Sequence, residues 1–376
     1  MKKFLTAVAF LTVLVSCTKE SYELKSGLDP RNFVNEYNGQ PTALYTLVNK
    51  AGMEVSITNF GGRIVSIMVP DRNGEFKDVV LGFDKVSDYF PENNASDFGA
   101  AIGRYANRIN SGKFSLDGKE YQLPHNDGMH CLHGGPTGWQ YQVYKVVEAD
   151  DSHLKLQMDS PDGDNSFPGA VTAFVTYTLT EDNAIDIVYE ATADAPTVIN
   201  MTNHSYFNLA GDPAKHPVCD DYMFVDADSY TPTDEYLIPT GEIASVANTP
   251  LDFRQETRIG NRIDSNFEAL KLAHGYDHNW VLNNTDPNKA DVVLRCDDTG
   301  IVLSVYTDEP GIQIYTGNFL DGTIAGKGGI VYNKRTGICL ESQHFPDSPN
   351  KPEWASTVLR PGETYTSHCV YAFSVR

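Results

Sequence analysis

Val171-Thr172-Ala173-Phe174-Val175-Thr176-Tyr177-Thr178-Leu179 repeats with a period of two from end to end. Val171, Ala173, Val175, Tyr177 and Leu179 fall on one side, and three threonines with Phe174 fall on the other. Successive side chains of a β-strand point to opposite faces, so the pattern predicts a strand with one buried face. Glu181-Asp182-Asn183 reads as a turn, and residues 184–191 alternate again. Two alternating runs around a polar turn predict an antiparallel pair.

The same signature recurs outward from this pair. Phe114-Ser115-Leu116, Asp117-Gly118 and residues 119–123 predict a tight hairpin. Residues 64–69 and 78–83 flank the turn-like Pro70-Asp71-Arg72-Asn73-Gly74. Residues 195–201, 291–296, 301–307, 312–316 and 370–375 continue the series of expected strands. Sustained helical periodicity is nearly absent; residues 87–92 and 256–266 are expected to form short helices or turns. No Gly/Ser-rich or Pro-rich linker, internal repeat or low-complexity tract interrupts the body. The expectation is an all-β, large single-domain antiparallel β-sandwich over residues 41–376.

The 376 residues are 41% hydrophobic, enough for a sizeable core, and carry 29 basic against 50 acidic residues, a formal charge of −21. Such a surface repels phosphate backbones and argues against nucleic-acid binding. A neutral substrate is indifferent to that field, whereas an anionic one needs a local basic pocket. Lys2 and Lys3 precede an apolar run, residues 4–15, too short to span a bilayer. Residues 1–16 therefore read as an export signal. The run ends Leu14-Val15-Ser16-Cys17, which resembles a bacterial lipobox. That resemblance implies cleavage before Cys17, its lipidation, and an exported lipoprotein anchored at the periplasmic face or the cell surface. Residues 17–40 are polar and aperiodic, and are expected to form a flexible tether. Five further cysteines, at 131, 219, 296, 339 and 369, show no CxxC pair and no Cys/His spacing of structural zinc. Their odd number leaves at least one thiol free or paired outside the chain. Most are expected to be buried and inert, and the chain to be a monomer or weak dimer.

Thr202-Asn203-His204-Ser205-Tyr206-Phe207-Asn208-Leu209 carries one histidine among amides and hydroxyls, groups that fix its orientation and protonation. Five other segments stand in order along the chain: Gly103-Arg104-Tyr105-Ala106-Asn107-Arg108-Ile109, Leu132-His133-Gly134-Gly135, Gly275-Tyr276-Asp277-His278-Asn279, Glu309-Pro310-Gly311-Ile312-Gln313-Ile314-Tyr315-Thr316-Gly317-Asn318 and Gly337-Ile338-Cys339-Leu340-Glu341-Ser342-Gln343. Together the six segments resemble the aldose 1-epimerase (galactose mutarotase) family, over essentially the whole chain after about residue 40. The resemblance implies a galactose mutarotase-like supersandwich that interconverts the α and β anomers of free sugars such as glucose and galactose, with no cofactor and no metal.

Anomerisation needs a base at the C1 hydroxyl and an acid at the ring oxygen. Alternation over residues 337–343 puts Cys339, Glu341 and Gln343 on one face. A carboxylate among apolar neighbours there has a raised pKa. Residue reading alone leaves Glu341 a surface glutamate at a strand end; the resemblance makes it the base. It likewise makes His204 the acid and His133 the group that stabilises charge at the ring oxygen. Gly134 and Gly135 let the backbone approach a ligand. The resemblance implies that Asp277, Asn107, Arg108 and Gln313 bind the sugar, the guanidinium by its fixed fork of donors. Arg104 is expected to be structural, and Trp139 is either an aromatic face for the sugar or core. Competing readings are a glycosidase using Glu341 and Asp277, which leaves the histidines idle, a noncatalytic sugar-binding module, and a metal site of His133, His204 and His278, for which no ligand spacing speaks. A mutarotase for a different free sugar is the nearest alternative, and no extra basic cluster points to a sugar phosphate.

Overall fold

The structure is a computed structural model that describes residues 23–94, 96–283, 286 and 288–376. The expected signal segment and Cys17 lie outside the described residues. Val171–Leu179 and Ala184–Ala193 are adjacent antiparallel strands, and burial along the first alternates strictly, as its side-chain pattern requires. They belong to a nine-stranded antiparallel sheet. Its order is Lys145–Ala149, His153–Ser160, Val171–Leu179, Ala184–Ala193, Tyr365–Val375, Ile301–Thr307, Val292–Arg295, Tyr222–Val225 and Thr257–Arg258. A six-stranded sheet runs Tyr206–Phe207, Ile338–Gln343, Gly311–Tyr315, Asp277–Val281, Ser229–Thr231 and Ala244–Ser245. A four-stranded sheet is formed by Leu44–Val48, Glu54–Thr58, Arg63–Pro70 and Phe76–Asp78. Ile57, Val175, Trp280 and Leu294, drawn from all three sheets, share one contiguous apolar core. This is the all-β sandwich that period-two patterning implies.

Lys113–Leu116 and Lys119–Gln122 form the expected hairpin, with Asp117 and Gly118 both at positive φ, 50° and 79°. That is the backbone a two-residue turn of the hairpin type demands. Three expectations need correction. Residues 195–201 are not one strand. Thr197–Val198 pairs with Val358–Leu359, after which the backbone changes partner and makes a parallel bridge with Tyr105 at Asn200, whose side chain adds further bonds. Its Nδ2 donates to the His344 carbonyl at 3.1 Å and its Oδ1 accepts from the His344 N–H at 3.0 Å. Residues 79–83 cross from one sheet to another instead of extending Phe76–Asp78: the Leu81 N–H donates to the Tyr206 carbonyl and the Asn208 N–H to that of Val79. The region 256–266 does hold a helical turn, at Ile259–Asn261, followed by turns as expected, and a short helix comes after it at Glu268–Leu272.

The tether expected over residues 17–40 is, from residue 23 onward, laid against the body. Leu28 and Phe33 are buried, and the backbone N–H groups of Lys25 and Ser26 donate to the buried Glu54 carboxylate at 3.2 and 3.5 Å. Asn35–Tyr37 pairs with Gln40–Thr42. Irregularly spaced apolar anchors, with Leu24 and Tyr37 packed beside Leu28 and Phe33, and a carboxylate supply this docking, and neither leaves a periodic trace in sequence. All five cysteines from Cys131 onward are free thiols; four are buried and Cys219 is partly so.

Candidate active site

Four strands supply His204, Asp277, Gln313 and Glu341: β1 (Thr202–His204), β2 (Asp277–Val281), β3 (Gly311–Tyr315) and β4 (Ile338–Gln343). β2, β3 and β4 are consecutive antiparallel neighbours, with Gln313 directly opposite Glu341 and Asn279 opposite Gln313. Strand parity therefore gathers Cys339, Glu341, Gln343, Gln313 and Asp277 on one face. β1 is paired with Ala100–Ile102.

This packing brings His204 Nε2 to 3.6 Å from Glu341 Oε1, while its Nδ1 lies 3.5 Å from Cys339 Sγ. Both partners are buried. Glu341 Oε2 is buried without any hydrogen-bond partner, as is Gln313 Oε1. Burial pushes the Glu341 carboxyl well above its ordinary range, helped by the negative charges of Asp277 and Asp97. Burial likewise pushes the His204 imidazole down, opposed by Asp97. Desolvation disfavours the charged form of each group, so the pair holds a single proton over a wide range of pH.

His133 stands edge-on to His204, ring centroids 5.1 Å apart, and Tyr206 stacks on the other side of His204 at the same distance. His133 and Asn107 lock one another. The Asn107 N–H donates to His133 Nδ1 at 3.2 Å, and the His133 N–H donates to the Asn107 carbonyl at 3.0 Å. Both residues sit at positive φ, 49° and 58°, a conformation non-glycine residues adopt at a cost and keep where the surroundings hold them. Because Nδ1 accepts, the neutral ring carries its proton on Nε2. Burial drives its pKa down to about 3, so it is neutral at physiological pH. Gly134, at φ 79°, lies so close to the Gly103 carbonyl that a Cβ would clash with it.

Gln313 Nε2 donates to Asp277 Oδ1 at 2.6 Å, and burial raises the Asp277 pKa against the pull of Arg108. Arg108 gives its Nε to Asp127 at 2.7 Å. Beside them opens a cleft of about 600 Å³ lined by Arg108, Asp127, Tyr236, His274 and Phe319. The candidates His204, Glu341 and His133 thus share one buried cluster, with Asp277 and Gln313 alongside Glu341 on the same sheet face and Asn107 and Arg108 at its border.

Three expected neighbours stand elsewhere. His278 points to the opposite face of β2, where it packs edge-on against Trp280 and Tyr230 and accepts the Asp277 N–H. A histidine triad with His133 and His204 is therefore not assembled. Arg104 is structural, as expected: its guanidinium donates to the carbonyls of Pro168 and Gly169 and to the Ser160 hydroxyl. Trp139 is core, buried against Gly103.

Sequence reading missed Asp97. Its carboxylate lies within 4.8 Å of ring nitrogens of both His133 and His204, and its Oδ1 is buried without a hydrogen-bond partner. The loop is pinned to β1 by the Gly99 N–H, which donates to the His204 carbonyl. Nothing local in Ser96-Asp97-Phe98-Gly99 marks it, since the contact is made across the β1 pairing.

The sequence model of the aldose 1-epimerase family matches residues 43–372. Galactose mutarotase of Mus musculus is 42% identical over 323 residues, which cover 86% of this chain and 92% of that protein. Aldose 1-epimerase of Escherichia coli (strain K12) is 40% identical over 339 residues, covering 89% and 96%. Among solved structures, an aldose epimerase homologue from C. elegans superposes with a TM-score of 0.82 at 32% identity, covering 89% of this chain and 99% of that one. Galactose 1-epimerase from Lactobacillus acidophilus NCFM gives 0.79 at 30% identity, covering 91% and 97%.

Proposed function

The chain belongs to the aldose 1-epimerase family of isomerases, and on that premise we propose that it interconverts the α and β anomers of free aldohexoses, glucose or galactose, by acid–base opening and closing of the ring. The observation that carries this reading is the buried His204–Glu341 pair at 3.6 Å, with an unpartnered carboxylate oxygen beside it.

Glu341 Oε2 takes the proton of the C1 hydroxyl. His204 Nε2 delivers its own to the ring oxygen as the C1–O5 bond breaks. The aldehyde turns about C1–C2, and closure on the other face returns both protons with the roles reversed. Burial alone leaves the resting pair as a carboxylic acid beside a neutral imidazole. The single proton must move to His204 before the cycle starts, and the Asp97 carboxylate stabilises the imidazolium once it forms. His133, fixed with its proton on Nε2, is a neutral donor for the developing charge on the ring oxygen. Asp277 and Gln313 hold hydroxyls remote from C1, and Arg108 presents its remaining nitrogens from the cleft side.

Optical rotation or NMR of freshly dissolved α-glucose and α-galactose, with EDTA and no added cofactor, is the test. Faster equilibration that disappears with Glu341→Gln supports the reading. Sugar binding without acceleration makes the protein a binding module, and activity on pentoses alone makes it a mutarotase for another sugar.

We also propose that the enzyme is exported and held at the membrane by lipid on Cys17. The lipobox-like Leu14-Val15-Ser16-Cys17 motivates this. Cys17→Ser should move the protein from the membrane to the soluble fraction, and a wild-type protein found wholly soluble overturns it.

A further inference from the structure

We propose that His216, Asp221 and Cys296 form a binding site for one zinc-like divalent cation, separate from the sugar site. The three residues come from two connections, His216 and Asp221 from the one that precedes the strand Tyr222–Val225. His216 lies in the segment after Tyr206–Phe207, Asp221 closes the turn Val218–Asp220, and Cys296 follows the strand Val292–Arg295. Their candidate ligand atoms all lie within 4.8 Å of one another, and all three residues are buried.

The donor set is one imidazole, one carboxylate and one thiol. Imidazole and thiolate together select a borderline-soft ion such as Zn²⁺ over Mg²⁺ or Ca²⁺. His216 Nε2 stands 2.9 Å from Asp221 Oδ1 and 3.8 Å from Cys296 Sγ. A tetrahedral zinc with nitrogen at about 2.0 Å and sulfur at about 2.3 Å separates those two atoms by about 3.5 Å. Small side-chain adjustments therefore suffice. Asp221 Oδ2 is buried without any hydrogen-bond partner, although its residue has no exposed surface. That orphan oxygen is an unused acceptor on one of the three proposed ligands. It offers a fourth contact unless water takes the position.

The outer arrangement matches as well. His216 Nδ1 is 3.2 Å from Asp298 Oδ2, and Asp298 is largely exposed. A carboxylate on the far nitrogen fixes the ring and raises its basicity, the usual support of a metal-bound histidine. The backbone holds the site in place: the Asn208 side chain donates to the His216 carbonyl, the Ile259 N–H to that of Asp221 and the Gly300 N–H to that of Cys296. Asp298, at the surface, marks the way in. Entry of the cation expels two protons to solvent, one from His216 Nε2 and one from the Cys296 thiol. His216 is left neutral with its Nδ1 proton on Asp298, and both Asp221 and the thiolate face the metal.

Cobalt(II), added to the purified full-length chain and followed by absorbance, reads the site directly, because a thiolate bound to cobalt gives a charge-transfer band. The expected result is saturation at one equivalent and displacement of the band by Zn²⁺. Cys296→Ser should lose the band, Asp221→Asn should weaken binding at least tenfold, and Cys339→Ser should retain it fully. Should Cys296→Ser fail to fold, alkylation of the wild-type chain decides: Zn²⁺ should slow modification of Cys296 but not of Cys219. No thiolate band, a band that survives Cys296→Ser and vanishes with Cys339→Ser, or equal alkylation of Cys296 with and without Zn²⁺, each overturns the proposal.

Discussion

His204 and His216 each sit beside a cysteine and a buried carboxylate, yet their proton affinities are displaced in opposite directions. At His216 both ring nitrogens face carboxylates, at 2.9 and 3.2 Å, and its pKa is pushed up to about 11, above all by the hydrogen bond to Asp221. At His204 one carboxylate stands off at 3.6 Å, the other nitrogen meets a thiol, and burial drives the pKa down. The chemistry of the neighbours is nearly the same; hydrogen-bond distance and the second carboxylate differ. Close hydrogen bonds to Asp221 and Cys296 outweigh desolvation there and keep the metal-free ring protonated. A single longer contact does not, so the proton stays exchangeable, which proton transfer to a substrate requires.

The largest effect that separates the two regions should come from Glu341. Glu341→Gln is expected to lower kcat by about 10²–10⁴-fold with sugar binding retained, measured by polarimetry and by titration calorimetry. His204→Asn should act alike, and the double variant should lose much less than the product of the two, since both groups serve one step. A rate within a few-fold of the parent removes Glu341 from the base role. His216→Ala should instead leave turnover per folded molecule unchanged and cost about 3–5 kcal/mol of stability in urea unfolding, because Asp221 is left buried and uncompensated. Equal stability of variant and parent would erase the contrast between the two histidines.

Rate against pH sharpens the same contrast. The active pair carries one proton. The acidic limb adds a second, and burial of His204 places that event below the usual imidazole range. The basic limb removes the last, and burial of Glu341 places it above the usual carboxylate range. A bell with a wide top around neutrality is expected, its apparent values belonging to the pair. A narrow optimum at either edge contradicts these directions. The smallest effect should be that of Asp97→Asn. Loss of its negative charge lowers the proton affinity of both groups, so both limbs should move to lower pH, by on the order of half to one unit. Unmoved limbs would place the Asp97 charge outside the working site.

The sheets were legible because half-buried strands repeat with period two, as Val171–Leu179 does without a break. Where a segment changes sheets, as residues 79–83 do, or changes partner, as at Asn200, apolar composition survives but one continuous pairing does not. The docked residues 24–42 escaped notice because Leu24, Leu28, Phe33 and Tyr37 anchor them at irregular spacing. In the site, the family-like segments led to His133, His204, Asp277, Gln313 and Glu341, whereas strand parity alone gave only the shared face of Cys339, Glu341 and Gln343. Asp97 reaches the histidines across a strand pairing, and the three donors around His216 are spread over 80 positions, from 216 to 296. Such meetings belong to tertiary structure and have no local signature.

The order of β2, β3 and β4 also sets a length. Glu341 and Asp277 stand two strands apart, with Gln313 opposite Glu341 and Asp277 two residues farther along its own strand, so a strand spacing of about 4.8 Å and a rise of about 3.4 Å per residue set them roughly 12 Å apart. That is the scale of a single sugar ring with its hydroxyls. The sheet is thus a ruler whose gradations are backbone hydrogen bonds. Side-chain exchange can change which hydroxyl is read at each mark, but the distance between marks changes only if a strand is inserted or removed.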